Sequence, residues 1–300
     1  MKTGEYRFTQ VISHLVCLIF TLTAILPFWM LFVGSFTDNG WAISNGFTFL
    51  PKEWSLEAYE YISTKWSLIG RGYFMTFAVT ILGVLIGLAM STLFAYGIAQ
   101  QDIPGMRFVS ILLIFTMLFN GGLVSTYYSY INFFHIKDTI WALIVPNYLM
   151  NAFNVILIRN YFKNSIPPSL REAAKIDGAG EFRILLRIVI PLSKPILATV
   201  GLLIGLTYWN DWTNGLYFLS QRNGSRYYTI QNILNNINEN INALLQNASD
   251  ASRIGASAAS LPSTTVRMAI AVVGILPVII AYPFFQKYFV KGITLGGVKE

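Results

Sequence analysis

The chain has 300 residues, of which 54% are hydrophobic and only 12% charged, against roughly a quarter charged in ordinary soluble domains. That balance excludes a water-soluble domain and places the chain in a bilayer. The formal charge of +7 is scattered over loops instead of forming one stripe, which excludes a nucleic-acid surface, and the single Cys17 excludes an internal disulfide.

The elements expected along the chain are six apolar spans, making an all-α membrane protein. The first span covers about 11–36, with Pro27 kinking it. It lacks a small-x-small cleavage site and reads as a retained span, not a signal peptide. His14 and Cys17 lie one turn apart, but no further ligand pair accompanies them, so no metal is expected. From 37 to 73 the chain turns polar and aromatic, with Trp41, Trp54, Tyr59, Tyr61 and Trp66 among charges of both signs. This reads as an external segment whose rings anchor at the interface or stack on a sugar, with a short helix starting at Ser55.

The second span, about 74–99, carries Gly83, Gly87, Ala89, Ala95 and Gly97, small residues that let helices approach closely in lipid. A short connection with Asp102, Pro104, Gly105 and Arg107 leads to the third span, which runs to about 128. Its Asn120-Gly-Gly interruption frees backbone groups that must be buried in protein or face a watery cavity. After an outer loop carrying His135, Lys137 and Asp138, the fourth span covers about 140–162. Asn147, Asn151 and Asn154 recur there at i, i+4, i+7, which on one helix would share a face. Such a face either lines a passage or bonds a neighbouring helix.

The segment 163–191 is a polar island between apolar runs. Ser169 followed three residues later by Glu172 reads as a capping box, with a helix starting at Leu170 behind Pro167 and Pro168. Leu170, Ala173, Ala174 and Asp177 fall on one small, mostly apolar face; Gly178 ends the helix in a left-handed turn, and Glu181 and Phe182 begin a second helical run toward Pro191. Ile176 and Phe182 stand ready for insertion into a partner, because a helix of about two turns needs packing to persist.

At these residues the sequence resembles the permease subunits of bacterial ATP-binding-cassette importers. Their loop reads Glu-Ala-Ala, three residues, Gly, nine residues, Ile-x-Leu-Pro. Glu172, Ala173, Ala174, Gly178, Ile188 and Pro191 match in register, with Ile190 in place of Leu. The resemblance implies that the elbow is the coupling helix docked on a nucleotide-hydrolysing subunit, with Glu172, Ala173, Ala174, Ile176, Asp177, Gly178 and Phe182 as coupling residues. Pro104-Gly-Met-Arg-Phe108 with the later Asn120-Gly-Gly phrase, and the tail from Gln286 to Lys299, resemble the carbohydrate-uptake branch, maltose-type and complex-oligosaccharide permeases included.

Pro191 and Pro195 lead into the fifth span, about 195–219, where Trp209, Asn210 and Asp211 interrupt an apolar context. Asp211 is either a path or gate residue or part of the interface. The external segment 221–264 carries Ile230, Ile233, Leu234, Ile237, Ile241 and Leu244 or Leu245 at helical spacing, predicting an amphipathic helix. The sixth span covers about 265–289, bent by Pro277 and Pro283.

The expected layout is a cytoplasmic N-terminus (1–10), a six-span domain (11–290) and a cytoplasmic tail (291–300) in the bacterial cytoplasmic membrane. With the N-terminus inside, most basic residues, Lys2, Arg107, Arg159, Lys163, Arg171, Lys175 and Lys299 among them, fall on the cytoplasmic side. No phosphate-cradling Gly-x4-Gly-Lys-Ser/Thr occurs, so the chain has no ATPase of its own. The resemblance implies ATP and Mg on a separate ATPase dimer, no cofactor in this chain, a second permease, an external solute-binding protein and surrounding lipid. Asn120, Asn147, Asn151, Asn154, Trp209, Asn210 and Asp211 are the candidate substrate path for a carbohydrate, an oligosaccharide in the first instance. A permease for a non-sugar solute and an ATP-independent secondary transporter are the alternatives, the latter calling for inverted repeats. An intramembrane enzyme would need a His-Glu-x-x-His, a Gly-x-Ser-x-Gly or paired intramembrane aspartates, none of which is present.

Overall fold

The computed structural model describes residues 4–100, 103–250 and 263–297. Lys2, Asp102, the Ser/Ala-rich stretch 251–262 and Lys299 lie outside the described residues. Among those described, every regular element is a helix; the one β contact is an isolated bridge between Thr37 and Trp54.

In chain order the helices are α1 (Gly4–Ser35), α2 (Asn39–Asn45), α3 (Glu57–Thr64), α4 (Trp66–Ala99), α5 (Met106–Leu118), α6 (Gly122–Asn132), α7 (Trp141–Ile144) and α8 (Ala152–Ser165). Then come α9 (Pro168–Ile176), α10 (Glu181–Ile184), a π turn over Leu185–Val189 and α11 (Ile190–Leu192). They are followed by α12 (Lys194–Trp209), α13 (Thr213–Phe218), a 3-10 turn over Ser225–Tyr227, α14 (Ile230–Asp250) and α15 (Ser263–Gly297).

Three stretches are long and apolar enough to cross a membrane: Phe8–Ser35, Trp66–Ala99 and Thr264–Pro283. Two more qualify only as bent pairs, α5 with α6 at 117° and the run Glu181–Leu192 with α12 at 83°. The expected third span is therefore two helices, broken where Asn120 accepts the Gly122 N–H at 2.8 Å. The expected fourth is not among the qualifying stretches and is interrupted: α7 stops at Ile144, and α8 restarts at Ala152 with Asn151 as its N-cap, accepting the Phe153 N–H at 2.9 Å. Pro146 cannot donate within a helix, and Asn147 at φ 66° takes a left-handed turn that asparagine tolerates. At the other boundary, the expected external segment 37–73 gives up its last residues to α4, which begins at Trp66, no proline standing between Trp66 and Tyr73.

The chain forms two compact units, one from 1–68 with 234–277 and the other from 69–233 with 278–300. In the first, the polar link after α1 folds back on it: Ser35 and Tyr59 hydroxyls meet at 2.8 Å, the Phe36 and Tyr59 rings lie 4.7 Å apart, and Trp29 donates to the Phe49 carbonyl at 2.9 Å. Within the short helices that follow, Asp38 caps α2 through the Trp41 N–H at 2.8 Å, and Ser55 accepts from Glu57 at 3.1 Å, as expected for a helix starting there.

The second unit holds a continuous apolar core that includes Val79, Ala95, Ile98, Leu143, Val155, Ile158, Ile184, Val200, Ile204 and Tyr208. The small face of α4 does what its composition predicts. A side chain at Gly83 would strike the Tyr208 ring, and a Cβ at Gly87 would lie 2.9 Å from the Leu149 carbonyl oxygen. Close approach thus brings α4 against α12 and against the broken segment of the fourth span. At the N-terminal end of α14, Ile230 and Ile233 are buried, as their spacing predicts, and the Ile230 N–H donates to Thr76 Oγ1 at 2.8 Å.

Candidate functional site

Two places carry the chemistry singled out above: the elbow, and a knot of polar groups where α7 gives way to α8 and α12 to α13.

The elbow differs in its start from expectation. Pro167 is the N-cap, Pro168 occupies the first turn, and no side chain caps the helix. Proline at that position has no N–H to satisfy and a preset φ, so α9 begins at Pro168 and Ser169 falls inside it. The capping box with Glu172 is therefore absent, and Glu172 stands exposed on the surface.

The elbow's end matches expectation. Gly178 sits at φ 77°, its N–H donates to the Lys175 carbonyl at 3.0 Å, and the Ala179 N–H donates to the Ala174 carbonyl at 2.9 Å. This pair of bonds is a Schellman turn, with Asp177 as the C-cap. The turn divides the elbow's side chains. Ala174 is buried, whereas Ile176 is 86% exposed, Phe182 72%, and Leu170 and Ala173 are exposed as well.

The opposite side is fastened by groups that the sequence pattern did not mark. Lys175 Nζ pairs with Glu181 Oε1 at 2.8 Å across the glycine turn. Glu181 Oε2 accepts from the Tyr96 hydroxyl, and Arg171 donates to Gln100 Oε1. The Arg171 guanidinium also lies over the Tyr96 ring, 5.7 Å from its centre. In the elbow, outside the apolar runs, the Lys175 ammonium and then the Tyr96 hydroxyl hold the Glu181 carboxyl below the usual carboxylate range. Opposite charges flanking a predicted glycine turn are the signal that would have found Lys175 and Glu181; nothing local marks Tyr96 or Gln100.

In the polar knot, Asp211 is 6% exposed and Asn214 fully buried. Asp211 Oδ1 accepts the N–H groups of Thr213 at 3.0 Å and Asn214 at 3.1 Å, satisfying the start of α13, and takes a longer contact from the Tyr148 hydroxyl at 3.4 Å. Asn214 Nδ2 donates to the Pro146 carbonyl at 3.1 Å, Asn147 Nδ2 reaches Asn214 Oδ1 at 3.4 Å, and the Tyr208 hydroxyl donates to the Ile144 carbonyl at 2.7 Å. The carbonyls that the fourth-span break frees are thus taken by side chains of the fifth span and its continuation.

The knot brings together only Asn147 and Asp211 of the candidate path residues. Trp209 packs on Phe77 with ring centres 5.2 Å apart, and Asn210 turns back to its own helix at the Leu206 carbonyl. Asn120 and Asn151 cap their local turns. Asn154 is buried within α8. The shared helical face expected for Asn147, Asn151 and Asn154 does not exist, because Asn147 lies in the break and Asn151 at the cap. Among the described residues no group of three or more His, Cys, Asp or Glu side chains could hold a metal.

Comparison with known proteins agrees with this architecture. The chain is 38% identical over 282 residues to the polygalacturonan/rhamnogalacturonan transport system permease protein YtcP of Bacillus subtilis (strain 168), covering 94% of this chain and 95% of that one. It is 34% identical to Protein LplC of the same organism, covering 92% and 89%. Among solved structures it resembles a bacterial ABC transporter involved in the import of the acidic polysaccharide alginate, with TM-score 0.77, 31% identity and coverage of 96% of this chain and 99% of that one. The family of binding-protein-dependent transport system inner membrane components matches residues 4–295. A long-spanned helical chain with this elbow and this match along almost its whole length belongs to that family: it is an inner-membrane component of a binding-protein-dependent transport system.

Proposed function

We propose that the chain is the permease subunit of an ATP-driven importer and forms half of a passage for an oligosaccharide. Six crossings are formed by α1, α4, the α5–α6 pair, the α7–α8 pair, α12 continued through α13, and α15. The fourth needs both of its pieces: α8 alone, at about 1.5 Å per residue, is roughly 21 Å long, short of a hydrocarbon core of about 30 Å. Both termini and the loop 163–191 face the cytoplasm, and 37–65 and 221–264 face outward. ATP and Mg bind the partner ATPase dimer, a second permease completes the passage, and an external binding protein delivers the solute.

The observation that carries this reading is the bare apolar edge of the elbow. Ile176 and Phe182 project from either side of the Gly178 turn, and each would sit in water at a cost of about 1.5–3 kcal/mol relative to burial. A groove on the ATPase subunit supplies that burial. Support for a carbohydrate comes from the relatives, whose names give polygalacturonan/rhamnogalacturonan and alginate.

The test is affinity purification of the tagged chain from gently solubilised native membranes. A P-loop ATPase and a second permease should accompany it. Ile176→Asp with Phe182→Asp should strip the ATPase by at least about tenfold while leaving the second permease in place. Full ATPase retention by the doubly charged elbow would refute the docking role.

A further inference from the structure

The elbow is joined to its neighbours through extended, non-helical backbone at both ends. Pro167 enters α9 in an extended conformation at ψ 130°, and Gly180 leaves the turn extended at ψ 159°, with Gly178 between them. A short helix hung between such joints would pivot when pulled, and a pivot transmits little force. The groups that stop it from pivoting are the side chains that reach α4. Tyr96 lies in the last turn of that helix and Gln100 immediately past its end, and they meet Glu181 on one arm of the elbow and Arg171 on the other. Gln100 Nε2 also approaches Glu181 Oε2 at 3.5 Å, and Lys175 closes the two arms on each other. The partners are charged, so these bonds are stronger and more directional than neutral ones.

The other end of this contact leads into the membrane. α4 is one unbroken helix from Trp66 to Ala99. Its Gly87 lies against the Leu149 carbonyl, inside the broken segment of the fourth span, and its Gly83 lies against the Tyr208 ring, whose hydroxyl holds the Ile144 carbonyl. A rigid rod thus joins the elbow to the break that carries Asn147, with no flexible element in between.

We propose that Tyr96 and Gln100 are positioning residues for coupling. They clasp the elbow to the end of the second span, so that movement imposed on the elbow by the ATPase is delivered through α4 to the break at 145–151. This rests on the reading of the elbow as the docking element.

The experiment uses the complete complex of both permeases and the ATPase dimer in nanodiscs, with Mg-ATP as the probe. Cys17 is replaced by serine, and Met150→Cys, exposed in the break, reports through its rate of maleimide labelling. Mg-ATP should change that rate by about tenfold when the clasp is intact. Tyr96→Phe, which keeps the ring and removes the hydroxyl, and Gln100→Ala should each shrink the change to less than about twofold. Both should retain the ATPase at the unaltered level, since Ile176 and Phe182 are untouched. A full nucleotide effect in both variants overturns the proposal, as does a break indifferent to Mg-ATP in the unaltered complex. Loss of the ATPase from the clasp variants overturns it too, by making the clasp part of docking. An unaltered complex that never holds an ATPase sinks the docking reading itself, a result separate from any of these.

Discussion

Asp211 looked, as a residue, like a charge in need of a path. The structure gives it a structural task in addition: its carboxylate takes the first two free N–H groups of α13 while almost wholly buried. Asp211→Ala should therefore cost about 0.5–2 kcal/mol as a lost cap, and more if the Tyr148 hydroxyl is left unpaired. Asp211→Asn keeps an acceptor and should lose less. Thermal unfolding of the detergent-solubilised chain would order the three proteins, and an alanine variant as stable as the parent would remove the cap from the account. Gly178 is a second case of one residue setting geometry. A β-branched side chain at φ 77° is strained by about 1–3 kcal/mol. Gly178→Val should leave the spans inserted but misdirect Ile176 and Phe182, so that ATP hydrolysis continues without uptake; normal uptake would contradict it. Gly178 was legible in advance because a left-handed turn has few alternatives to glycine. The capping role given to Glu172 was not, because Ser169 and Glu172 have capping-box spacing yet the preceding prolines start the helix two residues earlier.

At the scale of elements, helices joined by local signals were readable, and breaks answered from elsewhere were not. The elbow's turn, the α3 start and the burial of Ile230, Ile233, Leu234 and Ile237 of α14 all follow from neighbours in sequence. The break at 145–151 depends on Asn214, Tyr208 and Gly87, between 62 and 68 residues away from the groups they meet. No local periodicity could place Asn147 off the face of Asn154. The elbow also has a pH signature. Glu181 is held below the usual carboxylate range by Lys175 and Tyr96, with Arg171 and Gln100 facing it as well. A depressed carboxylate contributes fully above its unfolded pKa and loses that contribution as pH falls through the lower folded value. Elbow order should therefore be unchanged between neutral pH and the ordinary carboxylate range and decline only under stronger acid. Hydrogen exchange across 168–184 would measure it, and Glu181→Gln should abolish the transition. Its carboxylate is about half exposed, so the effect on global stability is small.

At the scale of the whole molecule, the first span is the least covered. Only 6% of its most apolar window is buried within the chain, against 28% for α4 and 33% for the last span. Lipid or the second permease must cover it. If the second permease does, the chain should melt at a higher temperature when copurified with that partner than alone in the same lipid and detergent, and equal melting temperatures would assign this surface to lipid. The apolar runs made the class legible from composition, because nothing else tolerates so few charges. Their pairing was not, since apolar faces in a bilayer carry no mark of which helix they meet.

The bare edge at Ile176 and Phe182 also bears on biogenesis. Until the ATPase arrives, a freshly inserted subunit presents two large apolar side chains to the cytosol on a short, acid-sensitive hairpin. Chaperones and membrane proteases read such a surface as unfinished. If the elbow docks as proposed, subunits synthesised in excess of their ATPase would be the ones removed, and the same two side chains would serve beforehand to match the stoichiometry of the parts.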